Sequence, residues 1–247
     1  MLWTFLLLAA SCFISALIQR ISGFGLATMM MALLPFFMDF TNTLLIAGLA
    51  GCVGAAVLAI QQRRHIQWKR MLTPLIAYVV VGFFVTRFVA ASDVEGLKRW
   101  LGLFLVALAL YFILLSKRIH IRDSVPGGLA VGAVSGVVNN LFNVGGPPIA
   151  VYLLNVCDDN LAYLATMQAF LAIISLYSNG VRAINGMFRV DILPLIPPAL
   201  IGVGLGFWVG GLLFHKLNGE RLKLVVYLVV AASGLWIFLG DVLGLSV

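Results

Sequence analysis

Apolar stretches long enough to span a bilayer fill this sequence, at about residues 2–37, 43–60, 72–90, 97–115, 127–154, 161–180, 193–214 and 222–240, and the charged residues fall between them. About 20 apolar residues cover the roughly 30 Å hydrocarbon core of a membrane. Only helices or closed barrels pair every backbone group in lipid, and these runs lack the period-two alternation of barrel strands. The pattern predicts an all-α, polytopic transmembrane helix bundle of about eight segments. Composition agrees, since 62% of residues are hydrophobic and 10% charged, far from the balance of a water-soluble domain.

A net charge of +7 would suit nucleic acid, but the basic residues lie in short loops beside apolar spans, where positive-inside topology explains them. No nucleic-acid partner is expected. Cys12 and Cys52 sit inside spans and Cys157 in a loop, without the spacing of a disulfide framework or metal site, so neither metal nor cofactor is expected. The run Leu2 to Ile18 lacks the basic start of a signal peptide and is read as a retained first segment in one membrane domain covering 1–247.

Laid over itself at an offset of 120 residues, the chain matches at polar and proline positions as well as apolar ones. Ser15 falls on Ser135, Gln19 on Asn139, Gly25 on Gly145, Pro74-Leu75-Ile76 on Pro194-Leu195-Ile196, and Gly82 on Gly202. After a slip of about five residues, Glu95-Gly-Leu-Lys falls on Glu220-Arg-Leu-Lys. The expectation is two four-segment repeats, 1–122 and 123–247.

The first segment of each repeat should be broken. Residues 2–37 would make a straight helix of roughly 54 Å, well beyond the bilayer core. Gln19-Arg20-Ile-Ser22-Gly23-Phe24-Gly25 interrupts it, and Asn139-Asn140-Leu-Phe-Asn143-Val-Gly145-Gly146-Pro147-Pro148 interrupts residues 127–154. Glycine permits non-helical backbone, and proline suits the first turn of a new helix. Each broken segment either crosses or turns back as a re-entrant hairpin. The basic residues divide slightly more one-sidedly if both turn back, which makes the repeats inverted.

Backbone freed inside hydrocarbon survives only when buried in protein or lining a cavity, so two related breaks imply a shared polar cavity. Resuming helices would aim positive N-terminal ends at it, and Gln19, Ser22, Asn139, Asn140 and Asn143 can donate hydrogen bonds there, with Arg20 as a permanent charge. The occupant expected is a small anion. The amides, Ser15 and Ser135 could equally be interhelical glue, and Arg20 could snorkel to an interface. In the sixth segment Gln168, Ser175, Ser178, Asn179 and Arg182 form a polar strip. It could line the path, or pack in the bundle with Arg182 at the water boundary. Every Asp, Glu and His lies in a loop or at a span end, so neither a cation site nor a catalytic pair is expected in the membrane. No GxxxxGK[ST] loop for ATP is present. These features point away from an enzyme.

Gln19 followed by Gly23-Phe24-Gly25, and the Gly145-Gly146-Pro147-Pro148-x-x-x-Tyr152 run, resemble the paired signatures of the TauE/SafE sulfite-exporter family of membrane transporters. The likeness spans the chain and includes Asn179-x-x-Arg182 followed by Gly186, the Pro194 segment and the basic stretch before the last helix. The resemblance implies a multi-pass permease of the inner (cytoplasmic) membrane for sulfite, sulfonates or other small organic anions, with both motifs near the path. A passive anion channel on the same architecture is the alternative, and a homodimer is an assembly left open.

Overall fold

The structure, a computed structural model, describes residues 2–22, 25–91, 94–114, 123–188, 190–213 and 219–242. These residues form α1 (Leu2–Ser22), α2 (Leu26–Leu33), α3 (Phe40–Gln61), α4 (Trp68–Ala91), α5 (Val94–Leu114), α6 (Val125–Phe142), α7 (Gly146–Val156), α8 (Asn160–Ile184), α9 (Ile196–Leu213) and α10 (Gly219–Val242), with short 3-10 turns and no strand among them. The fold is all-helical. Among the described residues six helices are long and apolar enough to cross a membrane: α1, α3, α4, α6, α8, and α9 with the turn before it. The sequence reading expects eight. In α10 the stretch Tyr227–Gly240 is a shorter apolar segment.

The chain divides into two compact units, one of Met1–Ala47, Asp93–Arg118 and Val190–Val247, the other of Gly48–Ser92 and Ile119–Arg189. In the first unit α1 lies along α9. Glycines four residues apart open a groove on α9, where a Cβ at Gly202, Gly206 or Gly210 would strike the Ala9 carbonyl, the Phe13 carbonyl or the Arg20 stem respectively. Both residue series rise together, so the two helices run parallel, with backbones as close as small residues allow. α5 and α10 cross antiparallel at a glycine pair, the Cβ position of each lying 2.7 Å from the other's carbonyl oxygen. α2 has only eight residues, and Leu26, Thr28, Met29, Met30, Met31 and Ala32 are all buried. So short a helix cannot span, and protein shields it from lipid.

In the second unit α4 and α6 form the corresponding parallel pair, with the glycines now on α6. Gly128, Gly132 and Gly136 face Thr73, Pro74 and Tyr78 in turn. The second half of α3 runs antiparallel to α8: Gly48 meets Asn179 and Arg182, while the Cys52 thiol reaches the Ala172 carbonyl at 3.9 Å. α7 returns along α6, because the Tyr152 hydroxyl lies beside Gly128 near the start of α6. Thus α6 and α7 form a helical hairpin whose turn lies at residues 143–145.

Candidate functional site

The turn of that hairpin is built by side chains of α6. Asn143 takes a left-handed φ of 58°, which asparagine tolerates, and ends the helix with its N–H on the Asn139 carbonyl. Two residues on, the Gly145 N–H donates to Asn139 Oδ1 at 3.0 Å and the Gly145 carbonyl accepts from Ser135 Oγ at 2.7 Å. A Cβ at 145 would lie 2.6 Å from the Asn139 Cβ, so glycine is needed for this approach. α7 then starts at Gly146 with Pro147 and Pro148, neither of which carries an N–H.

Around the turn lies a buried polar cluster. Asn139 Nδ2 donates to the Tyr78 hydroxyl, which is hydrogen-bonded to Ser178 Oγ at 2.6 Å. Asn140 Oδ1 accepts from Ser178 Oγ at 2.8 Å and from Thr86 Oγ1 at 2.9 Å, while its Nδ2 donates to the Gly136 carbonyl. Arg182 is only 1% exposed and donates from Nη2 to the Asn139 carbonyl at 3.4 Å. Its Nε and Nη1, together with Nδ2 and Oδ1 of buried Asn179, have no partner among the described residues. Gly48 lies against both side chains, its Cβ position 2.6 Å from Asn179 Oδ1 and 2.9 Å from Arg182 Nη1.

The other break is simpler. Gly25, at φ 116°, makes the turn between α1 and α2 in a region that glycine alone enters freely, and the Leu26 N–H donates to Gln19 Oε1 at 3.1 Å. Gln19 and Asn139 therefore do the same work in the two units. Glutamine, one methylene longer, serves the amide seven residues on, and asparagine the amide six on. Ser15 is buried with Oγ on the Ser11 carbonyl at 2.6 Å. Arg20 lays its stem over Gly210 and its guanidinium beside Gly211. Ser22 ends α1, and Gly23 and Phe24 lie outside the described residues.

Of the polar strip on α8, Ser178, Asn179 and Arg182 reach the cluster. Gln168 is buried about 15 Å further back along the helix, and Ser175 is half-buried. Two expectations change. Arg182 is not at a water boundary, because the carboxyl end of α6 covers it. The amides of Gln19 and Asn139 meet the resuming helices as acceptors of their N–H groups. Tyr78, Thr86 and Gly48 are participants that sequence reasoning missed.

The sulfite exporter TauE/SafE family model matches residues 7–237, a stretch that includes both breaks and the whole cluster. The chain belongs to the TauE/SafE family. No curated protein and no solved structure matches it. As a TauE/SafE member it is a membrane transporter and not an enzyme.

This TauE/SafE chain also has, in its second unit, an open cleft of about 840 Å³ at the opening of α4 and α6, lined by Trp68, Arg70, Thr73, Asp123, Tyr152 and Asp158 among others. Arg70 pairs with Asp123 and lies 3.9 Å from Asp158, which also accepts from Gln67 Nε2 at 2.6 Å. Tyr78 is ten residues into α4, about 15 Å from this opening, and Asn139 about 21 Å into α6. The cluster therefore lies deep in the span. Cys157, next to Asp158, is half-buried, and burial pushes its thiol above the ordinary value. A membrane-impermeant maleimide should modify Cys157 from the cleft side of sealed vesicles, increasingly as pH rises, and leave fully buried Cys12 untouched. Equal labelling of Cys157 from both sides would show that this end does not open to one aqueous face.

Proposed function

We propose that the chain is a secondary permease of the inner membrane for a small anion, sulfite, a sulfonate or another small organic acid, and that the anion binds at Arg182 and Asn179. One observation carries this reading: a guanidinium wholly buried in a membrane helix, with two nitrogens unpaired and no carboxylate among the described side chains around it. A buried, unpaired charge costs several kcal/mol and marks function in a membrane span. Capping of α6 explains only Nη2, since a guanidinium carries five N–H donors. The orphaned nitrogens call for oxygen acceptors bearing negative charge.

Inverted duplication accounts for the helix pairing. Helices equivalent at the 120-residue offset touch antiparallel, α3 with α8 and α5 with α10. The first helix of each repeat lies parallel to the third-segment helix of the other, α1 with α9 and α6 with α4. These relations support repeats of opposite orientation, the plan on which transporters build alternating access.

The test is flux of labelled sulfite and methanesulfonate into proteoliposomes. Saturation and counterflow are expected for a permease, and their absence with retained flux would favour the channel. Arg182→Gln should lower flux by about a hundredfold, as removal of a buried charged contact worth about 3 kcal/mol implies. Undiminished flux in a folded Arg182→Gln protein would remove the site.

A further inference from the structure

Resting on that permease reading, we infer that the Arg182 site selects by charge number, taking oxyanions that carry a single negative charge and rejecting dianions of similar size. Arg182 supplies one full positive charge. The hairpin turn adds two partial charges of opposite sign, the carboxyl end of α6 and the amino end of α7, each worth about half a unit. These largely cancel, so the site carries close to one positive charge.

No other charge faces it among the described residues. On α4 the cluster contributes the neutral Tyr78 and Thr86, and Arg87, next in sequence, is exposed with its guanidinium 5.4 Å over the Phe83 ring. α6 contributes Ser135, Asn139 and Asn140, and the second half of α3 contributes Gly48, with Cys52 one turn on. The described side chains of α7 carry no charge. Arg63, Arg64 and His65 follow α3 at the other end of α8, where the Gln67 N–H meets Thr166, about 24 Å from Arg182. A monoanion leaves the buried site neutral. A dianion leaves an uncompensated negative charge in a low-dielectric interior, which is expensive unless paired.

The orphaned atoms set a preference among such monoanions. Arg182 Nε and Nη1 and Asn179 Nδ2 are donors, but Asn179 Oδ1 is an acceptor with nothing to accept. An acid anion that keeps one O–H, such as hydrogen sulfite, satisfies both kinds. A fully ionised oxyanion brings no donor and leaves Oδ1 unpaired.

The experiment compares, in proteoliposomes of the full chain, flux of methanesulfonate, sulfate and sulfite from mildly acidic to mildly alkaline pH. Methanesulfonate should be carried at least about tenfold faster than sulfate, as an uncompensated charge in a site of low dielectric requires. Sulfite flux should fall as pH rises through its second ionisation. Methanesulfonate flux, whose charge is fixed, should stay level and so report any titration of the protein itself. Arg182→Lys, which preserves the charge, should keep the same order of anions at lower rates. Sulfate carried as fast as methanesulfonate, or sulfite flux rising with its dianion, would overturn the charge rule while leaving the permease standing. Absence of flux for every anion would remove both.

Discussion

Gly132→Ala should dismantle the helix pair at the heart of the second unit. A Cβ at this position would fall on the Pro74 carbonyl oxygen and within 2.7 Å of the Pro74 C and Cα atoms. These are backbone atoms of a packed helix, so no side-chain rotation can relieve the contact, and α4 and α6 must separate. Overpacking typically costs about 1–3 kcal/mol, and a clash with backbone belongs at or above the top of that range. Detergent-solubilised Gly132→Ala is therefore expected to melt lower by at least about 6 °C, using about 2–4 °C per kcal/mol for a chain of this size. Anion flux should fall with it, because Tyr78 on α4 and Asn139 on α6 hold their geometry through this contact. Gly204→Ala is the internal control. Nothing lies within 4 Å of its Cβ position on α9, and replacing a helical glycine in open space stabilises by up to about 1 kcal/mol. The two substitutions are chemically identical and should move the melting temperature in opposite directions. Equal shifts would mean that the close approach of α4 and α6 is not what holds this unit.

Much of the architecture is legible in the sequence because membrane helices are specified by local properties. Apolar length marks the helices, and glycine and proline mark the interruptions, which the structure places between Ser22 and Leu26 and between Phe142 and Gly146. The roles of the polar residues are less legible, since they depend on which partner lies opposite. Gln19 and Asn139 have both donors and acceptors, and sequence alone favours their donors because an anion is expected. In the fold their oxygens are committed to the backbone of the next helix. Arg182 lies two residues beyond the apolar stretch 161–180 and so suggests an interface, but α8 continues to Ile184 and the end of α6 covers the guanidinium. Tyr78 and Gly48 give no signal of their own. A tyrosine or glycine in an apolar run is ordinary, and only the arrival of Asn139 and Ser178 at one, and of Asn179 and Arg182 at the other, gives them a part.

The reciprocity of Gln19 and Asn139 leads to the second large effect. Asn139→Ala should strand the Gly145 N–H and deprive the Tyr78 hydroxyl of its donor, both in a buried setting. The stranded N–H costs about 1–3 kcal/mol, while the Tyr78 hydroxyl keeps its bond to Ser178, so the hairpin turn should lose about 1–3 kcal/mol and open locally before the rest of the unit does. Hydrogen exchange at the amides of residues 143–146 should accelerate, and flux should fall by at least about tenfold as the Arg182 contact with the Asn139 backbone loosens. Asn139→Gln separates the amide from its reach. The longer side chain keeps the oxygen but carries it past Gly145, as Gln19 carries its own to Leu26, so exchange at Gly145 should rise while the protein stays folded. Gln19→Asn should do the reverse in the first unit, falling short of Leu26 and exposing that amide. Unchanged exchange at 143–146 in Asn139→Ala would mean that the turn is held by Ser135 and the prolines rather than by the asparagine, and that Asn139 can be removed without disturbing the anion's surroundings.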